Sequence, residues 1–469
     1  MSDVASPRAN PYLNGPVGPL FLRTAAPIVL LMLVSGLYTI VDAIFLGLLV
    51  GPRALAAVTL VFPIFMAVAA LSTLVSSGMA SILARRLGAG DDDGAQAVLQ
   101  SAMMLSLVVA VLLMAFYLTL GVRLVDWFSE GDAGLASMAK TYLAFVIFGS
   151  PLQFLISIQG DALRSEGKPG VMAGIGVLVT LANIGFNYVL IAGLGWGVAG
   201  SAIGTLAAQT VAMGVVIWLR LSGRTPLALL RRTGHRLTEA WPRILALGLP
   251  PSLGLAGTSL SAGCYIIGIG IWSGDNHDIA IAAYGIASRL LTFAFLPLLG
   301  LNFACQSIVG NNFGAHLFGR SDRTLLVGLA TGLGYGFAVE LAFIVGARPI
   351  AALFVTDPAV IAEAVHIVRI VTAAYVLVAP LMVLAGYFQA LGMATRAAAI
   401  TLGRTYVFTL PLIFILPFIF GETGLWMAAP ISDLGMMAIA ITVLWLNRRR
   451  ARLGLFYSQR ETTIAAGAA

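Results

Sequence analysis

The chain has 469 residues, 59% of them hydrophobic and only 10% charged, with a mean hydropathy of +0.96. A soluble domain carries about 25% charged residues, so this composition excludes a soluble globular protein, and long continuous apolar runs in place of alternating ones exclude a closed β-barrel. The formal charge of +7 does not by itself indicate nucleic acid, because basic residues in a membrane chain report orientation first.

The expectation is an all-α polytopic membrane protein of about twelve transmembrane helices. The segment up to Pro19 is polar and proline-rich, lacks the basic region and cleavage site of a signal peptide, and leaves the first apolar run as a membrane span. In residues 25–50 the only charged side chain is Asp42. An ionised Asp at membrane depth costs ~2.5–3.5 kcal/mol on insertion scales, so it is expected to face a protein interior or a wet cavity. Ser35, Tyr38 and Thr39 precede it by seven, four and three residues, which places their hydroxyls on the same helical face. The face reads as a proton or cation site, or as an acid held by a structural hydrogen bond.

The following spans are expected at 54–84, up to 121, 141–160, 171–192 and 198–220. Arg85, Arg86 and the Gly-Asp-rich stretch 88–94 close the second, a loop holding Arg123, Asp126, Glu130, Asp132 and Lys140 follows the third, and the polar stretch 161–169 reads as a charged turn. The fourth carries Pro151, Gln153 and Gln159. The fifth places Thr180, Asn183 and Asn187 on one face, and the sixth has a stripe of small residues, Gly197, Ser201, Gly204 and Ala208, with Thr205 and Gln209 beside it. These amides serve either a polar site or interhelical contact.

The arginine-rich stretch 221–240 is taken as an inter-lobe linker, followed by runs at 243–272, 279–308, 325–347, 361–390, 397–420 and 424–446 and a tail at 447–469. The expected organisation is an N-lobe at 1–220, a C-lobe at 241–446, and a cytoplasmic linker and tail. With the N-terminus inside, Arg85, Arg86, Arg164, Lys168, Arg231, Arg232 and Arg448 to Arg450 fall on the inner side, whereas few basic residues fall outside. Both termini are therefore expected to be cytoplasmic. Cys264 and Cys305 lie in apolar runs, and His235, His277, His316 and His366 lack the paired spacing of a metal site.

Residues 81–89 recur as 307–315, 226 positions on. Two six-helix halves of the same orientation are implied, since an even number of spans returns the chain to the same side. Parallel repeats of this kind occur in transporters that alternate access. The copies differ at the acid: Asp42 corresponds to about Tyr265, and the seventh run has none. Glu340 and Asp433 are the other deeply placed acids, suited to a cationic substrate or to a structural partner.

Leu37-Tyr-Thr-Ile-Val-Asp42, Leu55-Ala-Ala-Val58, Gly160-Asp-Ala-Leu-Arg-Ser-Glu-Gly-Lys-Pro169, Gly197-Val-Ala-Gly-Ser-Ala202 and Tyr284-Gly-Ile-Ala-Ser-Arg289 together resemble the multidrug and toxic compound extrusion (MATE) family, nearer its DinF-like branch. The resemblance implies two six-helix lobes in a V and a secondary active antiporter that exports amphipathic, often cationic drugs or toxins in exchange for H⁺ or Na⁺. It implies coupling at Asp42, Tyr38, Asn183 and Thr205, with Asn187 where some relatives have a second acid. A proton is the expected ion, with Na⁺ at Asp42, Asn183, Asn187 and Thr205 as the alternative and no other cofactor. Ser35, Gln153, Gln159, Gln209 and Arg289 are the expected cavity residues. A bacterial-type cytoplasmic (inner) membrane, a monomer in the lipid bilayer and no nucleic-acid partner complete the expectation. A lipid-linked saccharide flippase of the same superfamily is the alternative function.

Overall fold

A computed structural model of the chain describes residues 10–129, 132–229, 234 and 236–451. Expectations resting on Glu130, Arg231, Arg232, His235 and the tail beyond 451 fall outside them. The described residues are helical with no strand. Among the described residues, eleven helices are long and apolar enough to cross a membrane, and a bent pair makes a twelfth.

In chain order the spans are α1 (Val17–Val50), α2 (Pro52–Gly88), α3 (Asp92–Trp127), α4 (Ala133–Ser165), α5 (Pro169–Gly193), α6 (Gly197–Leu221), α7 (Trp241–Trp272), α8 (His277–Gly314), α9 (Phe318–Ala351), α10 (Pro358–Val371 with Tyr375–Ala390), α11 (Ala394–Phe420) and α12 (Glu422–Ala451). Large side chains such as Leu48, Val345 and Phe418 are left exposed on them, as lipid-facing positions require.

Several spans run past their apolar stretches because polar residues cap or continue them. The α4 helix starts at Ala133, ahead of the expected 141, because Asp132 accepts hydrogen bonds from the backbone N–H of Gly134 and Leu135, both at 3.0 Å. It also continues to Ser165: Asp161 and Arg164, expected in a loop, pair at 2.9 Å one turn apart within the helix. Residues 166–168 make the turn, with Gly167 at φ +80°. The expected 88–94 loop shrinks similarly, since Asp91 accepts from Gly94 N–H at 2.8 Å and opens α3 at once. Arg123 and Asp126 likewise belong to the helical end of α3.

The tenth run, expected as one helix, bends by 45° between Val371 and Tyr375. Glu340 of α9 accepts the backbone N–H of Val376 at 3.1 Å, satisfying a donor that the break exposes.

The chain divides into two compact units, one of residues 1–14 and 24–252, the other of residues 15–23 and 253–469. In the first, α2, α3 and α4 share a core that includes Val61, Val68, Tyr117, Leu143, Ile147 and Phe154. Backbones touch where Gly78 of α2 faces Ile244 of α7: a Cβ there would lie 2.0 Å from the Ile244 carbonyl oxygen. In the second unit, α9 meets α10 through Gly328, Gly332 and Gly336, each with a neighbour about a methyl group away.

Candidate functional site

Three helices of the first unit bring Asp42 (α1), Asn183 and Asn187 (α5) and Ser201 and Thr205 (α6) into one hydrogen-bonded chain. Asp42 Oδ1 accepts from Asn187 Nδ2 at 2.8 Å and from the Ser201 hydroxyl at 3.1 Å. Asn187 Nδ2 also donates to Asn183 Oδ1 at 2.9 Å, and Asn183 Nδ2 donates to Thr205 Oγ1 at 2.8 Å. The Thr205 hydroxyl donates to the Ser201 carbonyl at 3.1 Å. Tyr38, one turn before Asp42, interacts with Asp42, Asn183 and Thr205.

The local sequence explains the approach. Gly204 sits opposite Asn187, and a Cβ there would stand 2.1 Å from Asn187 Oδ1. Gly176 does the same for Leu31 of α1, at 2.2 Å. Beyond the site, α1 and α5 unwind into π-helical turns at Leu46–Val50 and Tyr188–Gly193, a departure often found at functional sites. Asn183 and Asn187 are buried, whereas Asp42 is half-buried. Asn187 Oδ1 is buried without a partner, an acceptor held in reserve beside a carboxylate.

Of the expected residues, Asp42, Tyr38, Asn183, Asn187 and Thr205 are thus brought together, and Ser201 joins them. The sequence carried Ser201 only as part of a small-residue stripe; its position one turn before Thr205 was the available signal. The expected cavity residues scatter. Ser35 lends its carbonyl to Thr39 at 3.2 Å on α1, Gln153 is half-buried on α4 and Arg289 is exposed on α8. Gln209 follows Thr205 by one turn with a buried, unpartnered Oε1.

Gln159 belongs elsewhere. It accepts from Arg220 Nε at 3.0 Å, while Arg220 Nη1 pairs with Glu166 at 2.6 Å and reaches the Leu227 carbonyl at 3.2 Å. Burial pushes the Glu166 carboxyl up to about 7 against the opposing pull of the Arg220 guanidinium. This knot fastens the ends of α4 and α6, and it removes Gln159 from any open cavity.

The second unit holds an ion pair on α11 and α12 whose acid, Asp433, stood out in the sequence and whose base, Arg404, did not. Arg404 Nε donates to Asp433 Oδ1. Each is the sole charged residue of its apolar run, and that complementarity was the signal. Asp433 therefore has a structural partner, as does Glu340 at the α10 break.

The family model described as MatE matches residues 27–189 and 256–415. A FAD transporter of Shewanella oneidensis is 25% identical over 434 residues, covering 91% of this chain and 94% of that one. The multidrug export protein MepA of Staphylococcus haemolyticus is 24% identical, covering 92% of this chain and 93% of its own. Among solved structures, a MOP superfamily transporter from Pyrococcus furiosus and an outward-facing multidrug resistance MATE transporter each superpose with a TM-score of 0.85. Both are 26% identical and cover 95% of this chain and 98% of theirs.

Proposed function

The chain belongs to the MatE family of membrane transporters, and from that premise we propose that it exports amphipathic, often cationic small molecules by secondary antiport, with Asp42 as the proton-coupling group. The observation that carries the reading is the hydrogen-bonded chain ending on Asp42 Oδ1. Its similarity to multidrug exporters supports the substrate class.

As a carboxylate, Asp42 accepts from Asn187 and Ser201 and holds α1 against α5 and α6. A proton on Asp42 removes an acceptor and adds a donor, and the amide already bonded to Asp42 carries an unpartnered acceptor, Asn187 Oδ1. Rotation of the Asn187 amide to take that bond breaks its donation to Asn183 and so alters the α5 contact with Thr205. Protonation at the outer face rearranges the first unit, and bound substrate leaves. Export then follows from a membrane proton gradient.

Sodium is the weaker alternative. Hard cations favour several oxygen ligands, and here Asn183 Oδ1 and Thr205 Oγ1 already accept hydrogen bonds. A flippase for anionic lipid-linked saccharides finds no support at this cluster, whose only charged residue is an acid. The basic inner loops favour a cytoplasmic-membrane protein with both termini inside; we take it to act as a monomer with lobes at 1–220 and 241–446.

The test is ethidium efflux from proteoliposomes under an imposed pH gradient or an imposed Na⁺ gradient. The expected outcome is efflux driven by the pH gradient alone and lost in Asp42→Asn. Efflux driven only by Na⁺ would assign Asp42 to metal-ion coordination instead.

A further inference from the structure

The second unit contains a cavity of about 280 Å³ whose walls come from α7, α8, α10, α11 and α12. Under the six-helix repeat, α7, α11 and α12 correspond to α1, α5 and α6, the helices that carry the Asp42 cluster. Tyr265, the approximate counterpart of Asp42, lines the cavity. The duplicated scaffold thus has a pocket at the same set of helices with different chemistry.

One wall is aromatic: Tyr265 and Tyr284 stack on Trp426 with ring centroids 6.0 and 5.8 Å away and interplanar angles of 13° and 22°. On α11 a π-helical turn, Gly403–Thr409, carries Arg404 to the cavity. Arg404 spends its Nε on Asp433, a side chain 2% exposed, and both terminal nitrogens lack a hydrogen-bond partner among the described residues. The Arg404 side chain as a whole is 30% accessible and lines the cavity. Trp426 Nε1 is a second donor, fully buried and without an acceptor.

The hydroxyls have the opposite character. Ser261 and Thr292 donate to carbonyls of their own helices, each at 2.8 Å, and Ser288 does so at 3.1 Å. With their protons given to the backbone, these cavity-lining hydroxyls keep only acceptor capacity. The cavity therefore offers a guanidinium fork matched to a carboxylate, flat aromatic surface, and acceptors for a neutral donor. A guanidinium in the wall disfavours a cation, and the cavity's size restricts the occupant to a small molecule.

We propose that this cavity is a second binding site, one that takes small aromatic carboxylates bearing a hydroxyl group. The carboxylate engages the free end of Arg404, the ring lies along Tyr265 and Tyr284, which the buried Trp426 backs, and the hydroxyl donates to the Ser and Thr oxygens. The site stands apart from coupling at Asp42 and does not depend on it.

The test uses the full chain in lipid nanodiscs with fluorescent 6-hydroxy-2-naphthoate, its binding read by anisotropy. The expected result is saturable binding that weakens at least tenfold in Arg404→Lys, which keeps the charge but loses the fork. The same loss is expected in Arg404→Gln/Asp433→Asn, which removes the pair without stranding an acid. Ser288→Leu, which fills the cavity and leaves the ion pair intact, is expected to abolish binding, whereas Asp42→Asn retains it. 2-Naphthol and 2-naphthylmethylamine are expected to compete at least tenfold more weakly. Lack of saturable binding to the wild type would overturn the proposal. So would unchanged affinity in the Arg404 variants and Ser288→Leu together, or competition by 2-naphthol equal to that of the carboxylate.

Discussion

Asp42 can be kept at membrane depth because two amides and two hydroxyls are arranged around it, and because glycine removes the atoms that would prevent the approach. Gly204 is the sharpest case. A methyl group at that position collides with Asn187 Oδ1 at 2.1 Å, so Gly204→Ala must either turn the Asn187 amide out of its bonds to Asp42 and Asn183 or push α6 from α5. Overpacking of this kind costs about 1–3 kcal/mol. The expected outcome is a lower melting temperature in detergent and at least a tenfold loss of pH-driven efflux, with substrate affinity less affected. Melting and transport rates that match wild type would remove Gly204 from the account. Asp132 yields a pH prediction at the same scale. Its bonds to the Leu135 and Gly134 amides, with the Arg53 guanidinium 2.9 Å away, hold its carboxyl below the usual carboxylate range. The unfolded chain then binds the proton first as pH falls. The stabilisation is present above about pH 4, the ordinary Asp value, and is lost below it. Thermal melts between pH 6 and pH 3 should therefore fall more steeply for wild type than for Asp132→Asn.

At the scale of the helices, the ends of α4 and α6 are joined by a buried ion pair, Glu166 with Arg220, both fully inaccessible. Such pairs do not guarantee stability, but breaking one by removing a single partner costs about 3–5 kcal/mol, here by leaving the Glu166 carboxyl buried without its guanidinium. Arg220→Met is expected to melt well below wild type, and Arg220→Met/Glu166→Leu to recover most of the difference. A double variant no better than the single would show that the hydrogen bonds to Gln159 and Leu227, not the charge, fasten these helices. The same elements show what a sequence conveys and where it falls short. The apolar runs located every span, since continuous hydrophobicity is a direct consequence of crossing lipid. The ends were misread because capping and intrahelical pairing, as at Asp132 and at Asp161 with Arg164, carry a helix beyond its apolar stretch. The break in α10 was equally hidden, as its unsatisfied donor is met by Glu340, a residue remote in sequence.

Across the whole molecule, duplication supplies two compact helical units from one plan, and the units have diverged in charge. The first gathers an acid with amides, and its members were legible as lone polar residues on three apolar helices. Their mutual contacts were not legible, because hydrogen-bond partners follow from tertiary packing. Gln159 illustrates the limit: an intramembrane amide suggested a cavity, yet Arg220 and Met103 occupy it. The second unit carries Arg404 and Asp433 instead, separable by sequence but joined by the fold. The division of roles makes the central claim directly measurable. Proteoliposomes loaded with a pH-sensitive dye and given an outwardly directed ethidium gradient report whether drug efflux pulls protons inward. The account predicts lumenal acidification with wild type, at a rate proportional to ethidium efflux, and none with Asp42→Asn. Equal acidification by that variant, or ethidium efflux without proton uptake by wild type, would contradict it.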